Sequence, residues 1–417
     1  MIHPRTSPGK PSPGKTSPGM TSPGKASPGK TFTPPREIPD RALATSRPSL
    51  RPEDLRVVFL SDAVPARNGV GTYYDDLSDH LGDRLGGVML LTPPADDSEP
   101  FLGWTTRMPG DPTQRIYFPS LRMYWRRIRD FDPHVIVSAT PGGYGLLGLL
   151  LAAAFRTALA VGYHTEYSEL AGLYWAGPKG KAYKGAMALW DRMMMRFGSS
   201  VLVPNAVLRD AALSWGARDA RIMGTPVQKR FLEEPTSPLS RRIRTVAYVG
   251  RLAPEKELDQ IRRAAGRLPS LHFRLAGDGP LRSEVEAWSR VHPNLEYVGW
   301  IPRERVVDLL DQTDLFVLPS RFETFGTAAF EAMVRRRLVL VSPHCGIVQF
   351  PDLAPGLLQM RHGEDLADAA QRALSLGAEV HQRVAGAGAE AARHACRRTI
   401  DEWVDVLLTT VQRSRFA

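Results

Sequence analysis

Two glutamates eight positions apart, Glu323 and Glu331, flank a turn in the stretch SRFETFGTAAFEAM, residues 320–333. The apolar run DLFVLP before them reads as a buried strand. A helix starting near Phe325 and Gly326 presents free N–H groups and the positive end of its dipole, which is a place for phosphate. Glu323, before the turn, then lies beside whatever the phosphate carries. Glu331, one to two turns into the helix, projects alongside the other end. Carboxylates accept hydrogen bonds from hydroxyls, so the pair is suited to grip a sugar on one side and a ribose on the other. Read blandly, Glu323 is a helix N-terminal acid and Glu331 a surface residue.

Three more clusters follow strand-like runs. They are RNGVG at 67–71, GRLAPEK at 250–256 and GDGP at 277–280. Arg251 and Lys256 in the second are two cations after a strand. They suit a diphosphate, with no acidic metal cage competing for it. The alternative for them is solvated surface charge. The GDGP turn lacks the third glycine of a dinucleotide fingerprint and has Pro280 where the helix begins, which disfavours an oxidoreductase. The one D-x-D pattern, Asp130-Phe131-Asp132, precedes a strand and is expected to be a turn, so no residue is assigned to a metal.

These clusters need a scaffold of alternating strands and helices. A chain of 417 residues exceeds one ordinary core, and 43% hydrophobic with 24% charged residues is a soluble globular balance. Strands read at LRVVFLSD, GVMLLT, HVIVSAT, LAVGYH and SVLVPN, then again at TVAYVGR, LHFRLAGDG, LEYVGW, DLFVLPS and LVLVSP. The helical spacing between many of them predicts parallel sheets covered on both faces. The expected fold is α/β, with two doubly wound, Rossmann-like domains facing a cleft. Such sheets bind ligands beyond the carboxyl ends of their strands. The expected boundaries are a disordered basic tail at 1–52, a first domain at 53–232, a second at 233–395 and a final helix at 396–417 packing back on the first domain. The stretch LEEPTSPLSRR, 232–242, reads as the linker.

The tail repeats Ser-Pro-Gly every five residues from Ser7 to Ser27, a composition that blocks helix and sheet. Residues 1–52 hold nine cations against two anions, so most of the net charge of +10 lies there. It is therefore weak evidence about the folded part. Two cysteines, Cys345 and Cys396, suggest neither a disulfide framework nor a Cys metal site. No N-terminal segment resembles a signal peptide, and LLGLLLAAAF is too short to span a bilayer. The expected location is the cytoplasm.

ETFGTAAFE resembles the E-x7-E motif of the retaining, GT-B-fold glycosyltransferases of family 4. The likeness runs from about Arg56 to the last helix. It includes GRLAPEKELD, LAGDGPLRSEVE, LEYVGWIPRERVVDLL, FDPHVIVSAT and YHTEY. PARNGVGTYYDDL, PGGYGLLGLLLAA and GYHTEY resemble a bacterial branch that glycosylates lipids. The resemblance implies that a hexose moves from a nucleoside-diphosphate sugar to a hydroxyl acceptor without a metal or cofactor. It implies that Glu323 contacts the sugar hydroxyls, Glu331 the ribose, and Arg251 and Lys256 the leaving diphosphate. His164 is placed near the reacting centre, and Gly250, Gly277 and Trp300 around the nucleotide. The amides of Thr324, Phe325, Gly326 and Thr327, and those of Asn68, Gly69 and Gly71, are to face the phosphates and sugar.

Arg335, Arg336 and Arg337 depart from the family's usual small residues, and SPHCGIVQ lacks its usual double glycine. A nucleotide-sugar epimerase of the same fold, or a sugar-nucleotide-binding protein with a decayed site, is the alternative. The expected acceptor is a membrane lipid or lipid-linked glycan at the inner membrane face, with no nucleic acid partner. The basic and apolar residues of LRMYWRRIRDF, 121–131, and of 173–197 motivate that expectation.

Overall fold

The computed structural model describes residues 50–65, 69–94, 101, 103–108, 111–164 and 178–414. The repeat tail, Arg67, Asn68 and the segment 165–177 lie outside the described residues. The strands are β1 (Arg56–Leu60), β2 (Gly87–Leu91), β3 (Gly103–Met108), β4 (Asp111–Pro119), β5 (Val135–Ser138), β6 (Ala158–Gly162) and β7 (Ser200–Val203), then β8 (Ala220–Ile222), β9 (Thr245–Val249), β10 (His272–Ala276), β11 (Leu295–Gly299), β12 (Leu315–Leu318), β13 (Leu338–Val341) and β14 (Leu357–Gln359). The helices are α1 (Gly69–Gly82), α2 (Leu121–Phe131), α3 (Gly143–Phe155), α4 (Pro178–Phe197), α5 (Ala206–Ser214) and α6 (Lys229–Glu233), then α7 (Leu258–Arg267), α8 (Arg282–Val291), α9 (Arg303–Asp311), α10 (Thr327–Val334), α11 (Leu366–Leu374) and α12 (Ala378–Gln412).

Two six-stranded parallel sheets result. The first has the order β2-β1-β5-β6-β7-β8 and the second β11-β10-β9-β12-β13-β14. Runs such as VIVS in β5 and LVLV in β13 are buried throughout, as parallel strands covered on both faces must be. The order reverses beside β1 in the first sheet and beside β9 in the second, which places a crevice at the carboxyl end of each. The antiparallel hairpin β3-β4 was not anticipated from the sequence. Trp104 and Phe118 stack on it 5.1 Å apart, both exposed.

The last helix starts well before the expected boundary at 396. It runs unbroken over 35 residues and joins both cores. Ala385, Ala392 and Cys396 pack with Met333 and Val334 of the second domain. Ile400, Trp403, Val404 and Leu407 pack with Phe59, Leu81 and Leu202 of the first. Trp403 Nε1 donates to Tyr73 Oη at 2.8 Å, so its one polar atom is satisfied in the core.

The stretch read as a linker is fastened to the second domain. Fully buried Arg335 grips Asp311 through two nitrogens, at 2.9 and 2.6 Å. It also donates to the carbonyls of Phe231, Glu234 and Pro235. Arg337 donates to the carbonyls of Thr313 and Ser237, and Arg393 of α12 to that of Leu232. Arg335 and Arg337, two of the three arginines that depart from the family pattern, thus supply donors to carbonyls of an irregular segment that makes few backbone pairs of its own.

Asp132, the second acid of the D-x-D pattern, adopts a left-handed conformation at the end of α2 and pairs with Arg56 at 2.6 Å. Asp130 pairs with Arg129 at 3.0 Å. The apolar residues of α2 turn inward. Ile128 is core, Trp125 packs on Phe155 at 4.6 Å, and Tyr124 Oη lies 3.0 Å from Tyr144 Oη. The expected apolar–basic surface is therefore not built from Tyr124, Trp125 and Ile128. Leu121 and Met123 are exposed on α2 with Arg122, Arg126, Arg127 and Arg129, and Leu189 and Phe197 are exposed on α4.

Candidate active site

The four adjacent strands β11, β10, β9 and β12 carry the second domain's motif loops at their carboxyl ends. The turns after β9 and β10 close on each other through backbone contacts. Leu252 N donates to Asp278 O, and Leu281 N to Leu252 O, each at 2.9 Å. A Cβ on Gly277 would stand 1.9 Å from Gly250 O, so these glycines permit an approach no side chain allows. Tyr248 Oη donates to Arg251 O at 2.8 Å and fixes the start of the cationic turn. Arg251 itself lies 4.0 Å from Glu255. Trp300, directly after β11, is 56% exposed and offers an open aromatic face.

Lys256 reaches across to the loop after β12. Its Nζ lies 2.5 Å from Glu323 Oε2, with both side chains mostly buried. The loops are also tied by the backbone, since Arg321 N donates to Glu255 O at 2.9 Å. Gly326 caps α10 in a left-handed conformation, φ 105°, where a Cβ would meet Cys345 Sγ at 2.7 Å. The single glycine of HCGI is sufficient to hold this loop. Gly346 N donates to Glu323 O at 2.8 Å and Ile347 N to Phe325 O at 2.7 Å. A Cβ on Gly346 would lie 1.9 Å from Thr324 O. Phe325 is buried edge-on against Phe330 and Phe350. Burial pushes the Cys345 thiol up to about 12, so it stays protonated. The N-terminus of α10, at Thr327, is thereby aimed from a fixed loop beside the Lys256–Glu323 pair.

Glu331 is only 4% exposed, which makes the bland surface reading wrong. Its Oε1 lies 2.9 Å from Nη2 of Arg303, the first residue of α9, and the same nitrogen pairs with Asp76 of α1. Two carboxylates sharing one guanidinium in a buried place cannot both ionise freely. Desolvation pushes Asp76 up to about 8 and raises Glu331 as well. The Asp76 carboxyl favours the folded state most below the ordinary carboxylate range. That contribution is lost as pH rises through about 8.

From the first domain, Gly71 lies against Val64 O, which a Cβ would approach to 2.2 Å, while Gly69 is unobstructed. Asn68 falls outside the described residues. His164 follows β6. Its Nε2 is 2.8 Å from Tyr74 Oη, and its ring packs on Tyr73 at 4.9 Å. Burial depresses its pKa to about 4, so the imidazole is neutral at neutral pH and works as a hydrogen-bonding group. Its hydrogen bond is made within the first domain. Asn205 was not anticipated as part of the site. Its Oδ1 caps α5 by accepting from Leu208 N at 2.9 Å, and its Nδ2 donates to Thr324 O at 3.3 Å across the two domains. The sequence does offer a signal for it, a capping asparagine directly after a strand.

Residues 67–226 match the profile of glycosyltransferase family 4, and residues 233–390 match that of glycosyl transferases group 1. The chain belongs to the family-4 glycosyltransferases. Its fold is GT-B. This glycosyltransferase is 26% identical to a GDP-mannose-dependent alpha-mannosyltransferase of Mycobacterium tuberculosis over 70% of the chain and 80% of that protein. It is 25% identical to a sulfoquinovosyl transferase of Arabidopsis thaliana over 55% of the chain and 46% of that protein. Sucrose-phosphate synthase of Thermosynechococcus elongatus superposes with a TM-score of 0.66 at 17% identity, covering 84% of this chain and 98% of that one. An Anabaena protein crystallised with UDP and glucose superposes at 0.62 with 16% identity, covering 85% and 99%. At those identities the two structures speak for the fold alone.

A depression of about 330 Å³ opens at the carboxyl ends of β12 to β14 in the glycosyltransferase. Arg321, His344, Arg361 and His362 line it, and none of the expected site residues does. Among the described residues, no helix is long and apolar enough to cross a membrane.

Proposed function

We propose that the protein transfers a hexose, with retention, from a nucleoside-diphosphate sugar to a hydroxyl of a membrane lipid or lipid-linked glycan. The observation that carries the reading is the Lys256–Glu323 pair beside the N-terminus of α10. It sets a cation where a diphosphate leaves and a carboxylate where sugar hydroxyls lie. The donor sits mainly on the second domain and the acceptor on the first. Arg251, Lys256 and the amides at Phe325, Gly326 and Thr327 stabilise charge on the departing diphosphate, the role a metal fills in other enzymes. The bond from the anomeric carbon to the diphosphate oxygen breaks, and the acceptor oxygen bonds to that carbon on the vacated face. The acceptor proton passes to a phosphate oxygen. Neutral His164, held by Tyr74, hydrogen-bonds near the sugar. Trp300 offers its exposed face to the base.

Product mass spectrometry decides the acceptor. Purified protein is mixed with cell lipid extract and single nucleotide sugars, GDP-mannose and UDP-glucose first. The expected product is one new glycolipid mass with one donor. Isomerised donor with no transfer would show an epimerase instead.

The two glutamates are expected to separate binding from transfer. Glu331→Ala weakens binding of the bare nucleoside diphosphate, because its carboxylate accepts from the ribose. Glu323→Ala spares that binding and impairs transfer. Calorimetric titration of both variants checks it, and equal losses of affinity would remove the division of labour.

Membrane attachment is expected through the exposed residues Leu121, Met123, Phe118 and Trp104, with the arginines of α2 against anionic headgroups. Each such cation contributes about 1 kcal/mol at an anionic surface. In liposome sedimentation, protein lacking the tail should pellet with anionic vesicles at low salt. Neutralising Arg122, Arg126 and Arg129 should release it. Tail-less protein that ignores anionic vesicles would remove the membrane assignment and leave the transferase assignment standing.

A further inference from the structure

Glu331 leaves little surface exposed, so its use depends on which way the carboxylate is turned and on its being ionised. Both depend on Arg303. Its Nη2 lies 2.9 Å from Glu331 Oε1, the side chain is 12% exposed, and the guanidinium sits 5.7 Å from the centre of the Phe231 ring. Arg303 Nε is buried with no hydrogen-bond partner among the described residues. A guanidinium placed to cap its own helix or to meet water would not leave that donor unused. The partner on its far side, Asp76, comes from the first domain and is 2% exposed. The other charged groups set against Asp76 are Asp75 and Asp79 on α1, and Glu304 on α9 stands against Asp75, all of them acidic.

We infer that Arg303 is a positioning residue for the nucleotide. Anchored by Asp76 of the first domain, it orients Glu331 and sets a positive charge against it for the ribose hydroxyls. The inference rests on the assignment of Glu331 to the ribose. It adds that affinity for the nucleoside diphosphate is set partly by Arg303, whose anchor, Asp76, belongs to the other domain. Arg303 touches the carboxylate and acts through it, so its effect must vanish when the carboxylate is gone.

A double-mutant cycle tests this with UDP and GDP as probes in calorimetric titration. The proteins are wild type, Glu331→Gln, Arg303→Gln, the double variant and Arg303→Lys, each with its thermal midpoint recorded. Both single glutamine variants should bind the better probe more than about 10-fold less tightly, the scale of one lost charge-assisted contact. The double variant should bind no worse than the weaker single one, and Arg303→Lys should recover part of the loss. Losses that multiply in the double variant would show that Arg303 acts on its own and would overturn the inference. So would wild-type affinity in Arg303→Gln beside weakened Glu331→Gln. Wild-type affinity in Glu331→Gln would overturn the ribose assignment itself, and the inference with it. If Arg303→Gln does not fold, the cycle runs on Arg303→Lys. Its smaller loss must likewise disappear in the Glu331→Gln background.

Discussion

Lys256→Ala should lower turnover by more than about 10-fold, since a desolvated charge-assisted contact is worth a few kcal/mol and each 1.4 kcal/mol is tenfold in rate. The structure makes the loss twofold in kind. On the proposed reading the variant removes a cation from the leaving diphosphate, and it also leaves Glu323, 20% exposed in its side chain, without its partner at 2.5 Å. On that reading an unpaired, mostly buried carboxylate would then face the anionic donor. Arg251→Ala is expected to fall in the same range, with less disturbance of Glu323. Initial rates at saturating donor, with and without EDTA, give the measurement. Chelator should change wild-type rates little. Activity abolished by EDTA and restored by Mg2+ would give the diphosphate to a metal instead of to these cations.

Arg335→Ala should destabilise the protein by about 3–5 kcal/mol, the cost of breaking a buried ion pair and abandoning its partner. Asp311 loses a two-pronged contact, and the carbonyls of Phe231, Glu234 and Pro235 lose their donors. The thermal midpoint should fall by roughly 10 °C. The neighbouring Arg336 is the control, because it is exposed and sits at φ 57° just past the end of α10. Arg336 N donates to Met333 O at 2.8 Å and Arg337 N to Ala332 O at 2.9 Å, the paired bonds of a helix end that favours glycine. Arg336→Gly should therefore leave the midpoint unchanged or raise it. Scanning calorimetry on both variants checks the contrast. A large loss in Arg336→Gly with none in Arg335→Ala would reverse the assignment of burial.

Much of the candidate site's arrangement on the second domain was legible because its residues are close in sequence and follow strands. Gly250, Arg251, Lys256, Gly277, Glu323 and Gly326 lie at neighbouring strand ends, and two sheets follow from the alternation of apolar runs. The E-x7-E spacing carried real positional information, since Glu323 ends beside Lys256 and Glu331 is buried on α10. What was not legible depends on contacts between distant residues. Arg303 meets Asp76 from 227 positions away, and Asn205 meets Thr324 from 119. No local pattern announces either pairing, although the capping position of Asn205 is itself legible. Arg335 and Arg337 stood out only as departures from the family pattern, because side-chain type alone does not say where carbonyls need donors. Tyr124, Trp125 and Ile128 were read as an outward apolar set. The helix turned them to Phe155, Tyr144 and the sheet, which is the commoner fate of such a stripe.

The clamped linker fixes where the two halves can pivot. Val227 packs in the second core and Met223 in the first, so the chain crosses between the cores within Gly224, Thr225 and Pro226. In α12 the change of allegiance falls between Cys396 and Ile400. These two crossings touch, because a Cβ on Gly224 would stand 2.0 Å from Thr399 Oγ1. The two crossings are therefore one place in space. Any rotation of one half against the other would have to pass through Gly224 and Thr399, and it would part the Asp76–Arg303 and Asn205–Thr324 contacts.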